Sequence, residues 1–478
     1  MTYAPTSASR RAHCSGRRRV RRGPALPAAN KARPRQSIAR NPGAARGIAR
    51  HAAPAADCIR LATAITVEGT AATARAGIER PVWALSLARL GDAIGNSLLF
   101  VVIPLYVARV PFPWFPFSET IRVGLLLSAY GIVSACGEPL AGSLIDRTGR
   151  RKLLVQLGLA IMAGSLLAYI AAGRYVWLLA LRCVQGVGFA ITVPATLALM
   201  AVMTHTETRG QAMGVYSAMR MLGLAIGPLI GGFLQVRFGF SVTFIVGAGC
   251  VALAVLFVQL WVSEPAAGAA ASRRSELQHS GEPGFFDRRI WSAGVVGSGV
   301  AMLAMASAFT LVATLEKQFD RMLGIDAFLF AIAFSSSTFS RLILQVPLGW
   351  LSDRAGRRPL IIAGLLLLAP ATALQGWVTA LWQLVGLRIL LGIASASVAA
   401  PAFALAADAA RSGGQGKQMS ITTLGFSVGM AIGPLLAGFL VLDFFALPFL
   451  VGAALCLAAA WIVYRFTPET VRLTPPPR

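Results

Sequence analysis

One element recurs along this chain: an apolar run of about 20 residues, long enough as a helix to cross a hydrocarbon layer of about 30 Å. Such runs fall near 82–108, 122–144, 153–173, 177–203, 211–235, 241–263, 290–315, 327–350, 358–379, 381–407, 419–441 and 444–466. A chain built this way must satisfy its backbone hydrogen bonds inside lipid, and helices do so within each segment. Of the 478 residues, 56% are hydrophobic and only 13% charged, about half the charged share of a soluble domain. A water-soluble enzyme is excluded on that ground. The longest polar interruption, about 264–289, divides the spans six and six. The expected fold class is an all-α membrane protein with twelve transmembrane helices in two six-helix halves. The expected halves are 81–263 and 290–466, with a linker at 264–289 and a tail at 467–478.

The formal net charge of +25 invites a nucleic-acid reading, and its location argues against one. In the first 80 residues fifteen Arg and Lys31 face Asp57, Glu68 and Glu79, a net of +13. That stretch has few large apolar residues and cannot bury a core. It reads as a basic disordered tail, as a transit peptide, or as the result of a start site placed upstream of one near Val67. No fold or aromatic platform for nucleic acid accompanies the charge. The short loops after even-numbered spans hold fourteen Lys and Arg, and those after odd-numbered spans hold six. By the positive-inside rule both termini are cytoplasmic; the expected location is the cell (inner) membrane. The six cysteines include no CxxC pair, and the four histidines lie outside the apolar runs. Neither a disulfide framework nor a metal site is implied.

The two halves repeat one another. Gly142-Ser-Leu-Ile-Asp146-Arg147-Thr-Gly149-Arg150-Arg151 follows the second span, and Gly349-Trp-Leu-Ser-Asp353-Arg354-Ala-Gly356-Arg357-Arg358 follows the eighth, offset by 207. Arg182-Cys-Val-Gln185-Gly186 in the fourth span is echoed by Arg388-Ile-Leu-Leu391-Gly392 in the tenth, offset by 206. In the fifth span, Gly223, Gly227, Pro228, Gly231 and Gly232 are echoed by Gly429, Gly433, Pro434 and Gly438, also offset by 206. Three unrelated motifs sharing one spacing indicate a duplication, and parallel duplication places a cavity between the halves near the midplane.

These residues resemble the major facilitator superfamily over about 82–466. The Gly142–Arg151 run is similar to that family's loop signature between helices two and three. The run from Arg182 is similar to its fourth-helix motif. Gly223–Gly232 resembles the fifth-helix motif of twelve-helix, proton-coupled drug and metabolite exporters. The resemblance implies alternating access, a coupling role for Arg182, a cytoplasmic gate at the two loop motifs and proton-driven export. The residue chemistry is compatible. Asp146 among Arg147, Arg150 and Arg151 can switch partners, as a latch requires. Pro228 and Pro434 among glycines can make bendable helices.

Ionisable groups inside lipid are costly and mark function. Asp92, about 15 Å into the first span by helix rise, is the best proton acceptor; an ion pair with Arg89 three residues earlier is its structural alternative. Glu138 stands where the repeat has Gln345, which fits either titration or a plain hydrogen bond. Asn96, Arg220 and Arg341 are expected to line the substrate cavity. Two guanidiniums there could clamp an anionic or zwitterionic substrate, or could merely pair with Glu138 and Asp92. No Walker-type GxxxxGK occurs, since Arg411 stands where its first glycine belongs before Gly416-Lys417. The expected partners are a small-molecule substrate, protons and the lipid bilayer, with no nucleic acid, no metal and no cofactor beyond the proton gradient, in a monomer. Uptake by symport or facilitated diffusion stays open, as does a membrane receptor that no longer transports.

Overall fold

The structure is a computed structural model of the 478-residue chain, and it describes residues 80–110, 117–204, 209–263, 291–409 and 415–470. The basic stretch 1–79 and the linker 264–290 lie outside those residues. Among the described residues every regular element is helical. Eleven continuous helices are long and apolar enough to cross a membrane. One of them, Gln211–Trp261, is 51 residues, so it would extend about 77 Å if straight, more than twice a bilayer core. It bends at Gly239, whose φ of 81° and ψ of −177° suit only a residue without Cβ. The bend separates two spans and makes twelve.

In chain order these are α1 Arg80–Val107, α2 Glu119–Thr148, α3 Arg151–Ala168, α4 Tyr175–Met203, α5 over 209–238 and α6 over 240–261. The second half has α7 Ala293–Leu323, α8 Ala327–Ala355, α9 Arg357–Ala373, α10 Leu381–Ala409, α11 Gln415–Leu440 and α12 Leu447–Phe466. The bundle has a proximal end, where α1 begins and α12 finishes, and a distal end, where α1 finishes and α2 begins.

Lipid is as apolar as leucine, so these helices are held by close packing rather than by exclusion of water. Small residues make the close approaches. Within the first half, a Cβ on Gly223 would stand 2.7 Å from the Leu90 carbonyl oxygen and one on Gly231 3.0 Å from that of Leu98, so α5 lies directly on α1. In the second half Gly429 and Gly433 set α11 on α7 in the same way, at Leu303, Ser307 and Thr310. Each contact carries a matching hydrogen bond: Ser97 Oγ donates to the Gly223 carbonyl at 3.1 Å, and Ser307 Oγ to the Gly429 carbonyl at 3.2 Å.

Between the halves the repeat closes the distal end twice. A Cβ on Gly232 of α5 would lie 2.7 Å from the Ala327 carbonyl of α8, and one on Gly438 of α11 would lie 3.0 Å from the Thr120 carbonyl of α2. Ser128 Oγ of α2 also donates to the Ala431 carbonyl of α11 at 2.6 Å.

Three expectations change in detail. The seventh span does not stop near 315: a 3₁₀ turn over Val312–Leu315 leads into a further helix, Glu316–Leu323. Lys317 and Arg321, which fall between the seventh and eighth apolar runs, therefore stand on α7. Residues 467–470 are docked rather than trailing, with Thr467 buried and Glu469 bonded to the backbone of α9.

Candidate functional site

Asp92 sits on α1, 1% exposed, in an ion pair with Arg89 one turn earlier on the same helix. Helical spacing of three makes that pair local and inexpensive to assemble. The guanidinium of Arg89 also lies over the rings of Phe189 (5.3 Å) and Tyr216 (5.8 Å). Its charge is thus shared between a carboxylate and two π faces. Asn96, one turn beyond Asp92, donates to the Tyr130 hydroxyl at 2.5 Å. Oδ1 of Asp92 is buried with no hydrogen-bond partner.

Arg182 of α4 is likewise 1% exposed. It donates to Gln185 Oε1 at 2.8 Å, shares that acceptor with the Tyr169 hydroxyl at 3.3 Å, and lies 5.2 Å from the centre of the Tyr130 ring. No carboxylate pairs with it among the described residues. Tyr130 therefore touches both the Asn96 amide and the Arg182 guanidinium, joining the α1 and α4 groups into one aromatic-walled cluster. Arg388, its repeat partner, is held differently, between the Phe309 and Phe334 rings and bonded to their carbonyls at 3.3 and 3.5 Å.

Arg220 connects this cluster to the second half. Its guanidinium lies 5.6 Å from the centre of the Phe426 ring on α11. Glu138 of α2 accepts a hydrogen bond from Ser427 Oγ of α11 at 3.3 Å. Arg341 of α8 is 8% exposed. Neither Arg220 nor Arg341 forms an ion pair with a carboxylate among the described residues.

The second loop motif braces its own half. Gly149 and Gly356 take positive φ (66° and 99°) to turn α2 into α3 and α8 into α9. Arg357 reaches Asp353 at 3.4 Å, pairs with Asp408, and bonds the Ala404 carbonyl, tying α9 to α8 and α10. Arg358 bonds the Tyr464 carbonyl of α12, and Arg354 stacks on Trp350 at 3.5 Å. The side chains of Asp146 and Arg147 lie outside the described residues. Arg150 is exposed and Arg151 half-buried. A Cβ on Gly142 would meet nothing within 4 Å, and one on Gly349 would meet only Ala400 of its own half. Pro228 and Pro434 lie inside continuous helices, and the glycines around them serve close packing in this arrangement.

Sequence reasoning passed over the aromatic wall (Tyr130, Phe189, Tyr216), Ser427 and the distal ion pair of Glu119 with Lys317 at 2.7 Å. None carries a local signal, because each acquires its role from a partner distant in the chain or on another helix.

Two six-helix halves whose helices cross at the distal end, with buried charges within the bundle, have the architecture of a membrane transporter. The family model described as Major Facilitator Superfamily matches residues 85–322 and 295–478, and the chain belongs to that superfamily. It is similar to the multidrug resistance protein MdtG of Proteus mirabilis, 27% identical over 391 residues, covering 78% of this chain and 93% of the relative. It is also similar to the multi-drug resistance efflux pump PmrA of Streptococcus pneumoniae, 26% identical over 356 residues, covering 71% and 86%. Among solved structures, a bacterial homologue of the human lysosomal transporter Spinster, inward-facing and unoccupied, superposes with a TM-score of 0.61. Its identity is 17%, over 80% of this chain and 94% of that one. The chain is thus a multi-pass transporter and not an enzyme.

Proposed function

We propose that this protein exports a small molecule in exchange for protons, by alternating access of its two halves, as a monomer in the cell (inner) membrane with both termini in the cytoplasm. The observation that carries the reading is the junction itself: Glu138 of α2 accepts a hydrogen bond from Ser427 of α11, and Arg220 of α5 lies 5.6 Å from the centre of the Phe426 ring. A change of charge on Glu138 changes a contact lodged between the halves, which is what coupling requires. The names of MdtG and PmrA support export. The count of fourteen basic residues against six supports the orientation, which makes the sealed distal end extracellular and this arrangement inward-facing.

In this reading Asp92 is the proton acceptor, Glu138 a second titrating or bonding carboxylate, and Arg182 the fourth-helix coupling group. Asn96, Arg220 and Arg341 line the cavity, the loop motifs Gly142–Arg151 and Gly349–Arg358 gate its cytoplasmic side, and the Pro228 and Pro434 helices flex. Everted membrane vesicles with an imposed pH gradient test it. Wild-type vesicles accumulate substrate when acidified inside, and Asp92→Asn vesicles do not, while binding stays within a few-fold. The substitution keeps the side-chain shape and an oxygen that can accept from Arg89, and the retained binding reports that the variant is folded. Accumulation by Asp92→Asn at the wild-type rate would remove Asp92 from the mechanism.

A further inference from the structure

Glu316 is the first residue of the final helix of α7, just after the 3₁₀ turn. It is 1% exposed, and both carboxyl oxygens are buried with no hydrogen-bond partner. An isolated buried carboxylate costs several kcal/mol or more, whereas its acid form escapes the charge penalty. No other described carboxyl has both oxygens buried and unbonded.

The charged and titratable groups on the surrounding elements do not compensate it. At the end of α1, the Tyr106 hydroxyl donates to the Tyr169 carbonyl and Arg109 lies over Phe240. On α2, Glu119 pairs with Lys317, and Arg122 bonds the Val110 carbonyl. On α8, Asp326 caps its own helix through the Leu329 N–H. Asp443, between α11 and α12, is exposed. On α7 itself, Lys317 and Arg321 both face Glu119, and Asp320, one turn beyond Glu316 on the same helix, is of like sign.

Its position gives the group a use. The next two residues make the cross-half contacts that close the distal end: Lys317 Nζ to Glu119 at 2.7 and 2.8 Å, and Gln318 Nε2 to Thr120 Oγ1 at 2.7 Å. Phe319 anchors the other side of the same helix against Phe330, Phe445 and Phe449. Withdrawing this helix from α2 breaks the latch and admits water to Glu316 in one movement. We propose that Glu316 is a proton-binding site of the distal gate, separate from Asp92 and Glu138, whose acid form the closed gate accommodates and whose proton leaves to the distal solution when the gate opens. The step breaks one carboxyl O–H bond and passes its proton to water, leaving a solvated carboxylate; no other reactant takes part. The proposal does not depend on the direction of transport or on Asp92.

Spin labels on Ala108→Cys and Leu442→Cys, exposed distal positions on opposite halves, report the gate by electron–electron distance in lipid nanodiscs. With wild-type Glu316 the long-distance population grows with pH, the open-to-closed ratio changing by up to about tenfold per pH unit, the limit for one linked proton. Glu316→Gln, which mimics the acid, holds the short distance at every pH. Persistence of the wild-type response in Glu316→Gln overturns the proposal, as does a wild-type distance indifferent to pH. A distance that follows sodium at fixed pH also overturns it, in favour of a metal cation held by the same oxygens. Should Glu316→Gln fail to fold, carbodiimide labelling of the unsubstituted protein with peptide mass spectrometry decides. Modification of Glu316 that fades as pH rises supports the site, and absence of modification at every pH rejects it.

Discussion

Arg89 and Asp92 bury an ion pair between lipid-spanning helices, where removing one partner strands the other. Arg89→Ala is expected to cost about 3–5 kcal/mol, read as a loss of thermal stability in detergent. Adding Asp92→Asn should return part of it, since the stranded carboxylate is then gone, and the non-additivity measures the pair. Arg341 is the complementary case, a deep guanidinium that forms no ion pair among the described residues. Arg341→Gln and Arg220→Gln should each weaken transport of anionic or zwitterionic substrates more than of cationic ones, measured as uptake into everted vesicles. Undiminished export of cationic dyes by both variants, with anions unaffected, would exclude the clamp. At this scale the sequence was legible wherever charge stood inside an apolar run: Asp92, Glu138, Arg182, Arg220, Arg341. It did not reveal Glu316, because a carboxylate followed by Lys317 and Asp320 looks like the start of a loop. Only the 3₁₀ turn that carries α7 onward shows it buried.

Among the elements, α5 and α11 each do two jobs: their glycines seat them on α1 and α7, and their distal ends close against α8 and α2. Gly232→Val puts branched carbon where a Cβ alone would stand 2.7 Å from the Ala327 carbonyl. Overpacking of this kind costs about 1–3 kcal/mol, enough to shift an opening equilibrium by about 5- to 150-fold. Labelling of an engineered distal cysteine by an impermeant maleimide should rise accordingly, and Gly438→Val should act alike through α2. The glycine–proline runs were readable as a repeat, and their expected flexing remains a proposal because close packing explains them in this arrangement. Helix number was readable from apolar length. The joint between α5 and α6 was not readable as a bend, because Gly239 sits among apolar residues where an ordinary loop would serve equally well.

For the molecule as a whole, duplication means that the distal end is built from two equivalent helix crossings, to which one ionic latch, without a counterpart among the described residues, is added. Glu119→Lys or Lys317→Glu alone should favour the open distal end by a few-fold, since the pair is about a quarter exposed (side-chain exposures 26% and 29%) and worth about 1 kcal/mol. The double reversal should restore closure, checked by the same distal cysteine labelling. Nothing within one half announces such a pair, which is why the halves were legible and their latch was not. The clasp at the opposite end has a practical side. Glu469 takes the backbone N–H groups of Arg357 and Arg358, 3.2 and 2.9 Å away, onto its two oxygens, and so caps α9 from beyond α12. A fluorescent reporter spliced on directly after Phe466 would amputate that cap and follow a damaged half, whereas one attached after Thr470 would leave it whole.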